Sequence, residues 1–405
     1  MNNADHIVVE RRLDCPVRAI ILPNESIMKE RRYYIDWLRV IAMLAVFLYH
    51  CARFFDTEGW ILKNTAQSST VDGIRGVLLW PWLMEIFFLL SGFAAWHALR
   101  TRSGKKFLLE RVKRLLFPIF VLGLFLLNPP QFYFYIATNH RFQRTFWESL
   151  SIYFSHWSFH LESAEGLLPA PPAMHLWFLQ YLFLISLMAL PLLLFFRSRT
   201  GRRGIEKVAR WCDHPSGIFL FFIPIALILI FLPHVGEGKH TWADFLWYAT
   251  FFLTGTLLAA DSRFIDSTTR YEMLSGWVCL GLFGLFLVLG ALFPKVFINQ
   301  TERWTSWFAV IFLLSLGAKY FNCNNKVLAY FNEAVLPFYL LHHTIIVCVG
   351  WFVIPLNMGI LPKFLIIAVV SFPLMLLLYE FLVRRFNVVR FFFGMRSKKA
   401  SGIRP

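Results

Sequence analysis

Residues 31–51 read RRYYIDWLRVIAMLAVFLYHC. The run is apolar over about 20 residues, the length at which a helix spans a bilayer, yet it carries Asp36, Arg39 and His50. Arg39 and His50 are eleven positions apart. At about 100° per residue that is ~1100°, some 20° beyond three turns, so both side chains share one face, roughly 16 Å apart along the axis. A bare membrane anchor gains nothing from two costly polar groups on one stripe. The segment therefore reads as one wall of a lined cavity in a helical bundle.

Composition agrees. Of 405 residues 58% are hydrophobic, with 45 Phe and 15 Trp, and only 16% are charged, where a soluble domain would have about 25%. The chain reads as all-α and as a polytopic membrane protein. The cysteines (Cys15, Cys51, Cys212, Cys279, Cys323 and Cys348) lack CxxC or Cys/His metal spacing, which predicts no disulfide framework and no zinc. The first 30 residues are polar and lack the short apolar core of a removable signal peptide.

Ten apolar segments of spanning length follow, near residues 34–54, 73–97, 115–137, 174–196, 216–233, 243–260, 272–294, 304–321, 334–356 and 360–383. With a cytoplasmic N-terminus, the outside segments hold only Arg53, Lys63, Arg75, Arg141, Arg144, Lys239, Lys295, Arg303 and Lys363 of the 40 Lys and Arg residues. Apart from the intramembrane Arg39, all the others fall inside. This asymmetry predicts about ten transmembrane helices with both termini cytoplasmic. The net charge of +16 is thus a topology signal; basic residues scattered among short loops exclude nucleic acid as a partner. The organisation expected is a cytoplasmic tail over residues 1–30, a membrane domain over 31–385 and a basic cytoplasmic tail over 386–405.

Several positions carry candidate chemistry. A neutral imidazole suits proton abstraction from an alcohol, which makes His50 a candidate base. Asp36, three residues before Arg39, pairs with it across one turn, either to neutralise charge at the membrane border or to take part in substrate binding. In the second span, WPWLMEIFFLLSGF (80–93) places Glu85 in the membrane, either orienting a cationic or histidine partner or protonated in a polar seam. Ser91-Gly92 there reads as a close helix-packing point. The inside loop RTRSGKKFLLERVKRLLFP (100–118) sets Arg111 and Arg114 on one side of a helix, a dock for a phosphorylated donor such as coenzyme A, although positive loops of this kind also arise from topology alone.

The long outside loop ends in FWESLSIYFSHWSFHLESAEGLLPAPPAMH (146–175). Its aromatics and His175 form either an interfacial belt or a sugar platform. In PFYLLHHTII (337–346), His342 and His343 are adjacent, so the 100° step predicts that at most one of them, taken as His342, lines the cavity. No P-loop or Rossmann glycine fingerprint is present.

IDWLRVIAMLAVFLYH (35–50), with Asp-x-x-Arg and then His after ten intervening residues, resembles the first-helix signature of the acyltransferase-3 family of integral-membrane acyltransferases. FFLLSGF, the Arg111-x-x-Arg114 loop, HLWFLQYL (175–182) and YLLHH are similar to further family features, over about residues 31–385. YYIDWLRV, HLWFL and FYLLHH most resemble the branch that succinylates periplasmic glucans. Gln180 stands where other branches carry a glutamate, which leaves Glu85 as the nearest intramembrane carboxylate.

The resemblance implies a multi-pass protein of the bacterial inner membrane. It implies acyl-CoA (succinyl-CoA or acetyl-CoA) as donor substrate, with no metal, and a carbohydrate hydroxyl as acceptor at the outer face. Carried over by motif, His50 is the base, Arg39 a donor-positioning or electrostatic group, and Arg111 and Arg114 the donor side; Asp36, His175 and His342 are left as substrate-binding candidates. A homo-oligomer is not indicated. Two alternatives stay open: a covalent route through Cys51, disfavoured because His50 points about 100° away from it, and a secondary transporter or flippase with a His/Arg/Glu relay.

Overall fold

The computed structural model describes residues 32–78, 82–139, 145–155, 174–214, 217–232, 242–292 and 301–398. Among them every regular element is a helix. In chain order these are α1 (Tyr33–Ala52), α2 (Ser69–Leu78), α3 (Leu83–Thr101), α4 (Gly104–Arg111), α5 (Asn128–Asn139), α6 (Phe146–Ser155), α7 (Trp177–Arg197) and α8 (Arg199–Asp213). There follow α9 (Phe222–Phe231), α10 (Trp242–Ala260), α11 (Ser262–Arg270), α12 (Glu272–Leu292), α13 (Thr301–Tyr320), α14 (Lys326–Val353), α15 (Ile360–Leu378) and α16 (Asn387–Phe392). α4 runs into α5 through two widened π-helical stretches, Val112–Leu116 and Ile119–Leu127, on either side of Pro118. A proline there removes one N–H from the helical ladder.

Seven helices among the described residues are long and apolar enough to cross a membrane. The protein is a multi-pass membrane protein. The ten expected segments all coincide with helices, but Gly217–Phe231 and Glu272–Leu285 are shorter apolar stretches and α13 does not reach that apolarity. α13 carries Arg303 and Lys319 near its ends, and buries Arg303.

Two helix pairs set the frame. α1 packs along α14, with Arg39 beside Asn332 and His50 beside His342 and His343. Equal advances along both chains mean that α1 and α14 run parallel. α3 lies against α10 in the same sense: Glu85 meets Trp247, and Gly92 meets Phe252 and Thr256. The approach is close because both helices present glycine. A Cβ on Gly92 would stand 1.8 Å from the Phe252 carbonyl oxygen, and one on Gly255 1.9 Å from that of Leu89. Small residues at such points let backbones meet where the solvent is lipid and gives no hydrophobic drive. The packing point expected at Ser91-Gly92 is thus present, with Gly255 as its counterpart.

The N-terminal tail and most of the loop over 138–173, including 140–144 and 156–173, lie outside the described residues. Within that loop the structure gives α6, and just after it the turn Met174–Leu176 that carries His175. The segment beyond residue 386 forms α16 and returns over the π-helical continuation of α4, where Phe117 packs on Phe391 and Phe392, with ring centres 4.9 and 5.9 Å apart.

Candidate active site

Four histidines from three separate parts of the chain converge. The His50 ring centre lies 4.9 Å from that of His342 and 4.8 Å from that of His343. His175 stacks on His343 at 4.8 Å with the planes 10° apart, and its ring centre lies 5.9 Å from that of His342. The expectation that only one of the adjacent pair faces the cavity is corrected. α1 packs along the line that divides the two side chains, so residues 100° apart flank His50 on either side.

Backbone carbonyls fix the tautomers, because a carbonyl oxygen only accepts. His50 Nδ1–H donates to Val46 O at 2.9 Å, which leaves Nε2 of the neutral ring as the acceptor. His342 Nδ1–H donates in the same way to Tyr339 O at 2.7 Å, and its buried Nε2 has no hydrogen bond. His175 is tied at both nitrogens: Nε2–H donates to Leu340 O at 3.2 Å, and Nδ1 accepts from Gln131 Nε2 at 3.1 Å. Tyr339 and Thr344 complete this scaffold. The Tyr339 hydroxyl donates to His175 O at 2.8 Å, and Gln131 Nε2 lies 2.7 Å from Thr344 Oγ1. His175 therefore orients its neighbours, while His50 and His342 keep a bare basic nitrogen.

Trp60 roofs the cluster, with ring centres 5.3 Å from His343 and 6.3 Å from His50. It sits on the loop after α1, which is held by a buried ionic knot. Asp56, fully buried, accepts from Arg53 Nη1 at 2.7 Å and Lys63 Nζ at 2.6 Å, with Arg75 Nε 3.4 Å away. Lys363 Nζ pins the same loop to α15 by donating to Asn64 Oδ1 at 2.7 Å and Ile354 O at 2.6 Å. A buried carboxylate with several donors is tolerated in apolar surroundings because each charge is compensated.

At the other end of α1, Arg39 Nη1 donates to Asp36 Oδ1 and Asn332 Oδ1, each at 3.2 Å. Arg39 stands near enough to Arg111 and Arg114 for the charges to repel. Arg111 lies 4.8 Å above the Phe107 ring, and Arg114 is 3.8 Å from Glu110. The three arginines thus share one basic end of the bundle, three helical turns from the histidines.

Glu85 is placed elsewhere. Its Oε1 accepts from Trp247 Nε1 at 3.0 Å, and Arg303 lies 5.4 Å from the Trp247 ring. No hydrogen bond or ion pair among the described residues joins Glu85 to His50. Glu85 therefore lies in the α3–α10 seam, facing α10 while His50 faces α14. Among the described residues no His, Cys, Asp and Glu group is arranged to hold a metal ion.

Sequence reasoning missed His343, Trp60, Gln131, Thr344 and Tyr339. The HisHis pair carried the signal for His343; Trp60 stood unmarked among 15 tryptophans.

An intramembrane histidine with an unoccupied ring nitrogen at one end of a polar stripe and an arginine cluster at the other fit group transfer across a bilayer. The chain belongs to the acyltransferase-3 family: the family model described as "Acyltransferase domain" matches residues 32–380. The protein is thus an enzyme of the O-acyltransferase class that uses an acyl donor. Its curated relatives include proteins named "Glucans biosynthesis protein C" from Salmonella schwarzengrund (strain CVM19633), Salmonella heidelberg (strain SL476) and Salmonella typhi. Each is 23% identical over 376 residues, covering 89% of this chain and 94% of the relative. No solved structure matches the chain.

Proposed function

We propose that the enzyme moves an acyl group, succinyl or acetyl, from acyl-CoA on the cytoplasmic side of a bacterial inner membrane to a hydroxyl of a periplasmic or envelope glucan. The observation that carries this reading is the tautomer of His50, whose Nε2 is the free acceptor on a ring flanked by His342, His343 and Trp60. His50 Nε2 takes the hydroxyl proton as the oxygen attacks the thioester carbonyl. The tetrahedral intermediate collapses, the C–S bond breaks, and the same proton passes from His50 to the leaving thiolate. Arg39, roughly 16 Å along α1 from His50 and held by Asp36 and Asn332, positions the donor together with Arg111 and Arg114 and does not touch the reacting carbonyl. His342, with its bare Nε2, holds the acceptor side, and His175, tied at both nitrogens, braces it.

Helix directions support an even number of spans with both termini on one side of the membrane, and the basic-residue asymmetry supports that side being the inside. If only the seven long helices crossed, α3 and α10 would run in opposite directions, as would α1 and α14. Parallel packing of both pairs calls for α9 to cross, and α12 with α13 as a further pair of crossings brings the total to ten. The relatives' name supports a glucan as the acceptor, and the basic end of the bundle supports a phosphorylated donor.

The test is transfer of labelled acyl group from acyl-CoA to a glucan by the purified protein. His50→Ala is expected to lower kcat by about 10²–10⁴ with the fold intact. A variant at the wild-type rate would rule out the base. Solute uptake by reconstituted vesicles without any acyl transfer would make the protein a transporter instead.

A further inference from the structure

α16 and the four residues after it form a hook that closes back on the basic end of the bundle. Phe391 and Phe392 clamp Phe117. Arg390 Nη2 donates to Glu333 Oε1 at 2.8 Å, and its Nε donates to Arg396 O at 2.8 Å, so the backbone beyond the helix is fixed to α14. The hook approaches the π-helical stretch after α4 through Gly394, whose φ of +66° favours glycine and whose Cβ would stand 2.7 Å from Arg114 O. Between hook and helix lies a recess of about 190 Å³ lined by Glu110, Lys113, Arg114, Phe391, Gly394 and Arg396, with Met395 beside them.

Charge in this recess is unbalanced. Glu110 is the one carboxylate on its wall, and it is shared among Arg102, Arg114 at 3.8 Å and Arg396 at 3.3 Å. Among the described residues Lys113 makes no ion pair, and Arg390 Nη1, on a residue 5% exposed whose Nε bonds Arg396 O, has no hydrogen bond. An anion with several acceptor oxygens fits such a surplus of donors, and arginine forks match phosphate oxygens.

We infer that the hook is part of the donor site, with Arg396, Lys113 and Arg114 forming a subsite for a phosphate group of the acyl-nucleotide donor. This rests on the reading of the donor as acyl-CoA docking at Arg111 and Arg114, and it adds residues from the far end of the chain to that dock. The hook docks on the same helix that leads through the π-helical stretches to α5 and Gln131, so donor contact and acceptor scaffold lie on one continuous element.

The experiment is CoA binding by the full chain in neutral-lipid nanodiscs, for wild type, Arg396→Ala and Gly394→Ala. Arg396 is 72% exposed at its side chain, so its truncation leaves the fold in place, as the melting temperature would show. Both variants are expected to weaken CoA binding by about tenfold, the size of one screened charge-assisted contact. Inorganic phosphate is expected to compete against the wild type more strongly than against Arg396→Ala. Arg396→Ala binding CoA within twofold of wild type overturns the subsite. So does a variant that keeps CoA binding but loses association with vesicles of anionic phosphatidylglycerol, since the recess then serves a lipid headgroup. A wild-type protein that binds no CoA refutes the donor assignment itself, a result distinct from both.

Discussion

The glycine pair between α3 and α10 gives a stability prediction whose size follows from geometry. An ordinary Cβ···O contact is at least 3.4 Å, and the Cβ atoms of Ala at 92 and 255 would start at 1.8 and 1.9 Å from backbone oxygens. Backbone cannot rotate aside, so the helices must part by about 1.5 Å, more than enough to forfeit a quarter to a half of the dispersion energy along the seam. Gly92→Ala and Gly255→Ala are each expected to cost about 1–3 kcal/mol. The two effects are not independent. Once the first Cβ has opened the gap, the second enters a space already made, so the double variant should cost less than the sum by about 1 kcal/mol or more. The assay is reversible unfolding of the four proteins in mixed micelles, with bundle helicity as the control. Strict additivity, or no loss in either single variant, would refute the close-packed seam.

Lys363→Met removes a buried ammonium that bridges Asn64 and Ile354 O; the orphaned acceptors predict a loss of about 1–3 kcal/mol in the same unfolding assay. Glu58 offers a pH test. Burial pushes its carboxyl up, but the Arg75 and Arg53 guanidiniums outweigh this and hold it below the usual glutamate range. A depressed folded value means the stabilisation is present above the ordinary pKa of about 4.3 and is lost as pH falls through the folded one. The stability gap between wild type and Glu58→Gln is therefore expected to be full at pH 7 and to close as pH drops below about 4. A gap unchanged at pH 3 would contradict the pairing.

The stripe of Asp36, Arg39 and His50 was legible because helix periodicity alone places residues 36, 39 and 50 on α1. The basic loops were legible because charge asymmetry needs no three-dimensional information. What could not be read was partnership across long separations. His50 meets His343 and Arg39 meets Asn332, each 293 positions away, through packing that no local spacing encodes. The surroundings of Glu85 were hidden for the same reason: an intramembrane carboxylate looks alike in sequence whether it faces a histidine or, as here, an indole N–H in another seam. The HisHis pair was half read, since a helical wheel gives directions but not where a neighbouring helix will lie.

The backbone partner of His50 bears on kinetic order. No carboxylate supports this imidazole among its described partners; Val46 O does. A dipole steadies a positive ring less than a full negative charge would, so under the proposed mechanism the abstracted proton is held only briefly. It must go to the departing sulfur within the encounter that released it. Both substrates then have to be in place together, and initial-rate plots at varied donor and acceptor should intersect rather than run parallel.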